Sequence, residues 1–136
     1  AGDVALDCEW CTDVVFRNNS VRNGRNAGIS LFLSCKNVSI TDNSIWMWEN
    51  EVDDTGLGYG IWLTGTDKKK VPSDLGHHNV SIAGNTIFAL GSRSTPAKFG
   101  KGKGKHAVAV QSGTLISLGH NVLNNDTDVL LDVDIQ

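Results

Sequence analysis

Apolar and polar residues alternate along this chain in short runs, and one such run recurs four times. Each copy has apolar side chains at two alternate positions, then an asparagine, one further residue and another apolar side chain. The four copies are residues 13–21, 37–45, 79–87 and 115–123. A period of two over so few residues predicts β-strands and not helices.

The asparagines of the four copies are 24, 42 and 36 residues apart, so a basic unit has been lengthened by insertions. Each copy is preceded by a second short apolar run and followed by a third, as at Ile29 and Leu31 before it and Ile45 after it. Repeats of this size indicate stacked units that cannot bury their apolar faces alone. Three strands per unit predict an all-β fold: a right-handed parallel β-helix, a solenoid of about four coils with three short strands per coil.

Equivalent side chains should therefore stack in columns, because parallel strands of adjacent coils lie about 4.8 Å apart. Two inward columns are predicted: Val14, Val38, Val80 and Ile116, and then Phe16, Ile40, Ile82 and Leu118. The repeated asparagines should form a ladder at a bend: Asn19, Asn43, Asn85 and Asn121. There the amide can bond to the coils above and below, and asparagine tolerates the left-handed backbone of a tight turn.

Composition adds limits to this picture. At 136 residues, the chain is expected to be a single β-helix domain (1–136), or a fragment of a longer β-helix because it begins inside a coil. The net charge of −3 offers no general attraction to nucleic acid. No apolar stretch is long enough to cross a membrane, and no signal peptide is present. Open ends of the solenoid could pair with flanking coils or with a second chain.

The three cysteines are too few for a disulfide scaffold. Cys11 and Cys35 fall at equivalent positions one coil apart, where stacked core thiols or a disulfide bridge are both possible. Cys8-x-x-Cys11 has the spacing of half a metal site, but the sequence offers no second pair or suitably spaced histidine. We therefore predict no metal at these cysteines.

The repeats resemble those of the pectate-lyase-like superfamily of parallel β-helix proteins. The resemblance is seen in residues 28–45, in Gly60-Ile61-Trp62-Leu63, in residues 78–87 and in residues 117–123, and it covers nearly the whole chain. Relatives include polysaccharide lyases, glycoside hydrolases, mannuronan epimerases and phage tailspikes. The resemblance thus implies a secreted or periplasmic protein that handles carbohydrate. It supplies no catalytic signature: Tyr59-Gly60-Ile61-Trp62 departs after its second residue from the epimerase string Tyr-Gly-x-Asp-Pro-His.

Candidate binding residues lie at outward positions, because inward residues are used for packing. Aromatic rings beside arginine can stack on sugar rings or make cation–π contacts, unless the long loops cover them. The substrate-binding candidates are Arg22, Trp46, Trp48, Trp62 and Phe88. Candidate catalytic groups are weaker, since a charged loop is usually only a solvated loop. They are Glu49, Glu51, Asp53, Asp54, His77 and His78.

Two functional hypotheses follow. In the first, the chain is a carbohydrate-active β-helix domain that binds or acts on an extracellular polysaccharide, as a lyase, hydrolase or epimerase. Hydrolysis would need two carboxylates at a set separation, and elimination from a uronate would need a base with basic side chains or Ca²⁺. In the second, it is a non-catalytic structural or adhesion module, such as a surface or tailspike segment. No other cofactor is expected.

Overall fold

The computed structural model describes residues 4–22, 24, 26–47, 58–64, 76–89, 106–123 and 128–131. In these ranges the regular structure is entirely β. The strands are β1 (Val4–Glu9), β2 (Thr12–Arg17), β3 (Ser20–Arg22), β4 (Ala27–Phe32), β5 (Lys36–Thr41), β6 (Ser44–Met47), β7 (Tyr59–Leu63), β8 (His78–Ala83), β9 (Thr86–Ala89), β10 (His106–Val110), β11 (Thr114–Leu118), β12 (Val122–Leu123) and β13 (Asp128–Leu131). Within them, no helix has the length and apolar character needed to span a membrane.

The strands form three parallel sheets, and each strand pairs with the strand three places along the chain. The spatial orders are β1-β4-β7-β10-β13, β2-β5-β8-β11 and β3-β6-β9-β12. Three successive strands therefore make one coil, and each coil sits on the previous one. This topology confirms the predicted β-helix of about four coils. The pairing of β13 with β10 shows that a fifth coil begins at Asp128.

The interior is built from stacked apolar columns. In the second sheet Val14, Val38, Val80 and Ile116 are in register, as are Phe16, Ile40, Ile82 and Leu118. Both columns are as predicted. The first sheet adds a column of Leu6, Ile29, Ile61 and Val108. Burial of large aliphatic side chains contributes roughly 1.5–3 kcal/mol each, so these columns are the main source of stability.

The predicted asparagine ladder is present at the bend between the second and third sheets. The amide Nδ2 of Asn19 donates to Oδ1 of Asn43 at 3.0 Å, and Asn43 donates in the same way to Asn85 at 2.9 Å. Asn85 donates in turn to Asn121 at 2.9 Å. Each acceptor Oδ1 also receives the backbone N–H of the preceding ladder residue at 3.0 Å. One side chain thus satisfies backbone groups that the bend removes from the sheets.

One detail of that prediction was wrong: the ladder asparagines do not have the left-handed backbone. Positive φ is found one residue earlier, at Asn18, Asp42 and Gly84. Each ladder residue instead has a conformation that directs its amide to the equivalent asparagine of the next coil. At Asn19, Asn43 and Asn85 the left-handed turn is therefore made by the preceding residue, whereas His120 before Asn121 has no positive φ.

A second polar ladder was not predicted. It runs along the start of the second sheet, where Asp13, Asn37, Asn79 and Leu115 occupy equivalent positions and all have φ between 55° and 60°. Nδ2 of Asn37 donates to Asp13 at 3.1 Å, and Nδ2 of Asn79 donates to Asn37 at 2.9 Å. These four residues are the first residues of the four repeat copies, so the alignment contained the signal.

Candidate functional site

The third sheet presents an outward column of Arg22, Trp46 and Phe88. Pairing of β3 with β6 sets Arg22 against Trp46, and pairing of β6 with β9 sets Trp46 against Phe88. The Trp46 and Phe88 rings are stacked, with centroids 4.4 Å apart and planes 14° from parallel. Trp46 is 43% exposed and Arg22 is also exposed. We call these three residues the outer aromatic column.

The alternation of β6 explains why Trp46 faces outward. Ile45 and Met47 are buried in the core, and Ser44 and Trp46, which alternate with them along the strand, are exposed. In a strand, successive side chains point to opposite faces, so an inward Ile45 and Met47 require an outward Trp46. The coil spacing of about 4.8 Å then brings Trp46 and Phe88 to stacking distance.

Trp62, another substrate-binding candidate, lies on a different sheet and is only half exposed. It belongs to β7, where it packs edge-on against Phe32 at 5.7 Å and Tyr59 at 5.8 Å between ring centroids. Its indole Nε1 donates to Oε1 of Gln111 at 2.9 Å. The structure therefore gives Trp62 a packing role on the first sheet and does not bring it together with Trp46.

Five candidates lie outside the described residues. In the sequence they follow β6, the strand that bears Trp46. They are Trp48, Glu49, Glu51, Asp53 and Asp54. Whether two of these carboxylates stand at a catalytic separation stays a prediction.

The histidine candidates differ from one another. His77 is fully buried at the corner before β8. Its Nδ1 accepts the backbone N–H of Cys35 at 3.3 Å, which leaves the proton on Nε2, 3.2 Å from the carbonyl oxygen of Thr64. Burial lowers the pKa of His77 to about 4, so it is neutral near pH 7. With both ring nitrogens engaged, His77 holds coils together. His78, half-buried at the first position of β8, pairs with Lys36 and Thr114.

The three cysteines of the chain meet at the corner between the first and second sheets. Cys8 is the last inward-facing residue of β1. Cys11 and Cys35 directly precede β2 and β5, and they lie at equivalent positions one coil apart, as predicted. All three are free thiols, and their Sγ atoms lie within 4.8 Å of one another. Alignment of the repeats placed Cys11 with Cys35, but it did not place Cys8 with them, because Cys8 is brought beside Cys35 only by stacking of the coils.

Comparison with protein-family profiles identifies the fold family of this chain. A search of curated proteins and a search of solved structures returned no significant match. A family profile described as "right handed beta helix region" matches residues 1–87, which is 87 of the 136 residues. Together with three stacked parallel sheets, this match shows that the chain belongs to the right-handed β-helix family.

Proposed function

We propose that this β-helix domain binds an extracellular polysaccharide, and that the outer aromatic column is its contact surface. The observation that supports the proposal most directly is the Trp46–Phe88 stack with exposed Arg22 beside it. Trp46 stacks on Phe88 and is still 43% exposed, and an exposed aromatic surface of this kind is typical of interaction sites. A secreted or periplasmic location would accompany this function.

The chemistry of the column suits sugars. The C–H faces of a sugar ring are apolar and pack against indole and phenyl rings, and a guanidinium donates several hydrogen bonds to hydroxyl or carboxylate oxygens. Two steps between coils span roughly 10 Å, which gives a contact of the size of a short stretch of polymer. Arg22 leads us to expect that uronate-containing polymers bind more tightly than uncharged ones.

Affinity electrophoresis through gels containing soluble polysaccharides tests the binding. The panel should include uncharged glucans and mannans and also acidic polymers of uronates. Trp46→Ala should weaken binding at least tenfold, since truncating a central aromatic hot spot typically costs about 2 kcal/mol or more. Arg22→Gln should weaken binding of the acidic polymers and leave that of uncharged ones nearly unchanged.

Trp10→Ala is the matched control. Trp10 is 55% exposed at a corner of coil one, away from the third sheet, so its loss removes an exposed indole of the same kind. If Trp10→Ala and Trp46→Ala weaken binding equally, or if no polymer in either class is retarded, the proposed contact surface does not exist.

Turnover distinguishes a carbohydrate-active enzyme from an adhesion module. Hydrolysis produces new reducing ends, and elimination from a uronate produces an unsaturated sugar that absorbs ultraviolet light. Activity that is lost in Glu49→Gln, Glu51→Gln, Asp53→Asn or Asp54→Asn would assign the acidic segment a catalytic role. Binding without turnover across the panel would favour the non-catalytic module.

A further inference from the structure

The cysteine cluster lies away from the outer aromatic column and has no part in the proposed sugar binding. It unites every cysteine of the chain, although they come from positions 8, 11 and 35. Cys35 is fully buried, and Cys8 and Cys11 are half-buried beside it. The chain has only three cysteines among 136 residues, and the fold brings all three to one corner of the core. This arrangement calls for a physical reason.

The distances match metal coordination better than a disulfide. The Sγ atoms of Cys8 and Cys35 are 3.8 Å apart, and the widest separation in the cluster is below 4.8 Å. Tetrahedral Zn²⁺ with Zn–S bonds of about 2.3 Å places its sulfur ligands roughly 3.8 Å apart. A disulfide would need about 2.05 Å, and it would leave the third thiol without a partner. A small contraction of the cluster therefore suffices to enclose an ion.

The surroundings define the ligand set. His77 contacts the backbone of Cys35, but its Nδ1 accepts that N–H and its Nε2 faces the Thr64 carbonyl, so neither nitrogen is directed at the sulfurs. Cys35 Sγ lies 3.4 Å from the carbonyl oxygen of Phe32, and Cys11 Sγ lies 3.3 Å from that of Glu9. These weak contacts orient the thiols. Three sulfurs remain as ligands for the metal. Because Cys8 and Cys11 are only half-buried, solvent can supply the fourth ligand of a tetrahedral ion.

Metal coordination requires the deprotonated, thiolate form of each cysteine. Three thiolates could not coexist at this corner without a positive charge among them. A bound divalent ion would supply that charge, and each coordinating thiol would release its proton to solvent.

Although the spacing of Cys8 and Cys11 alone predicted no metal, we propose from the three-cysteine cluster that Cys8, Cys11 and Cys35 bind a thiophilic metal ion, best matched by Zn²⁺, and that the ion ties coil one to coil two. The soft thiolate set selects Zn²⁺ or similar ions over Mg²⁺ and Ca²⁺, which prefer oxygen ligands. Cys8 and Cys35 are 27 residues apart in the chain, so the ion would close a long loop at the corner of the two coils.

Metal titration of the full chain tests this site. The protein is fully reduced, treated with a chelator, desalted and titrated with Co²⁺ as a spectroscopic probe. We expect one Co²⁺ per chain, with a thiolate-to-metal charge-transfer band and the visible bands of tetrahedral Co²⁺, and displacement of both by Zn²⁺. At Zn²⁺ a hundredfold above Kd, the Tm should rise by about 9 °C.

Cys11→Ser and Cys8→Ser should each weaken Zn²⁺ binding at least tenfold and remove most of the charge-transfer intensity. Thr12→Ala, which changes the exposed residue after Cys11, is the control and should bind as the parent chain does. Circular dichroism verifies that the variants fold. The proposal is overturned if the reduced, folded parent binds Co²⁺ and Zn²⁺ no better than Cys11→Ser. It is equally overturned if two of the three thiols form a disulfide and reduction restores no metal affinity.

Discussion

At the scale of single residues, the ladder asparagines show how one side chain can support three coils. Asn85 is completely buried. It accepts the backbone N–H of Asn43 at 3.0 Å and donates to the carbonyl of Ile40 and to Asn121, both at 2.9 Å. Because Asn85 has no exposure, bulk water cannot replace these hydrogen bonds, and the side-chain amide is needed to satisfy the buried backbone groups around it.

Asn85→Ala is expected to destabilise the protein by about 2–4 kcal/mol. The substitution leaves the Asn43 N–H and the Ile40 carbonyl buried without these bonds, and each unsatisfied group costs about 1–3 kcal/mol. Urea unfolding measures the change. Asn37→Gly is the control: it removes an exposed ladder amide while glycine accepts the positive φ, and it should cost less than about 1 kcal/mol. Equal losses of unfolding free energy in the two variants would show that burial of the Asn85 amide contributes nothing beyond what an exposed ladder amide contributes.

His77 should make stability depend on pH. Its folded-state pKa of about 4 lies below the ordinary value of 6.5, because burial disfavours the charged ring. The unfolded chain therefore takes up the proton first as the pH falls. The stabilisation is complete above pH 6.5, declines between pH 6.5 and pH 4, and is constant below that, a loss of about 3 kcal/mol.

The measurement is urea unfolding of the parent chain and His77→Gln at several pH values, with a chelator present. The glutamine side chain of this variant cannot titrate, so the difference in free energy of unfolding between the two proteins should shrink toward pH 4. A difference that stays constant from pH 7 to pH 4 would contradict the assignment of His77 as a buried neutral base.

At the scale of elements, each strand of the second sheet has a residue with positive φ at its second position. Three of these four equivalent residues are Asp or Asn, and the fourth is Leu115. Asp and Asn tolerate this conformation because their short side chains bond locally, whereas a leucine there is strained. The second polar ladder, formed by Asp13, Asn37 and Asn79, ends at Asn79 because Leu115 has no side-chain amide with which to extend it.

Leu115→Asn should stabilise the protein by about 0.5–1 kcal/mol. The new residue fits φ of 56°, and its amide can continue the ladder from Asn79. Leu115 is 58% exposed, so little apolar burial is lost. Val122→Asn replaces an equally exposed apolar residue where φ is not positive, and it should give no gain in a parallel thermal and urea unfolding experiment. Equal effects of the two substitutions would mean that backbone strain at residue 115 is negligible.

At the scale of the whole molecule, stability should be greatest in the middle of the coil stack. β5 and β8 are paired on both sides, whereas β2 and β11 are paired on one side among the described strands. In a solenoid each repeat is stabilised by its nearest neighbours, so strands with two neighbours open less often.

Hydrogen–deuterium exchange resolved by peptide should therefore show the amides of β5 and β8 exchanging at least tenfold more slowly than those of β2 and β11. A factor of ten corresponds to about 1.4 kcal/mol of additional opening energy, a modest difference for a strand with a second partner. Uniform protection across the second sheet would indicate that all coils open as one cooperative unit.

Much of the fold was predictable because the repeat is a local property. An inward Val38 and Ile40, the asparagine after them and the next apolar residue are fixed by a period of two and by a turn, which the sequence displays directly. The register followed, since aligning the asparagines brought Val14, Val38 and Val80 together as the structure does. The outward direction of Trp46 follows from the same alternation.

Only the tertiary structure decided how residues outside the aligned repeat copies meet at the corner between the first and second sheets. Cys35 lies beside Cys8, and the ring of His77 lies between Cys35 and Thr64, because coils stack at the corner between the first and second sheets. Likewise Trp62 and Trp46 look alike in sequence but lie on different sheets. Alternation fixes which way a strand residue points, but contacts at corners depend on how the turns between strands close, and those turns have no period to follow.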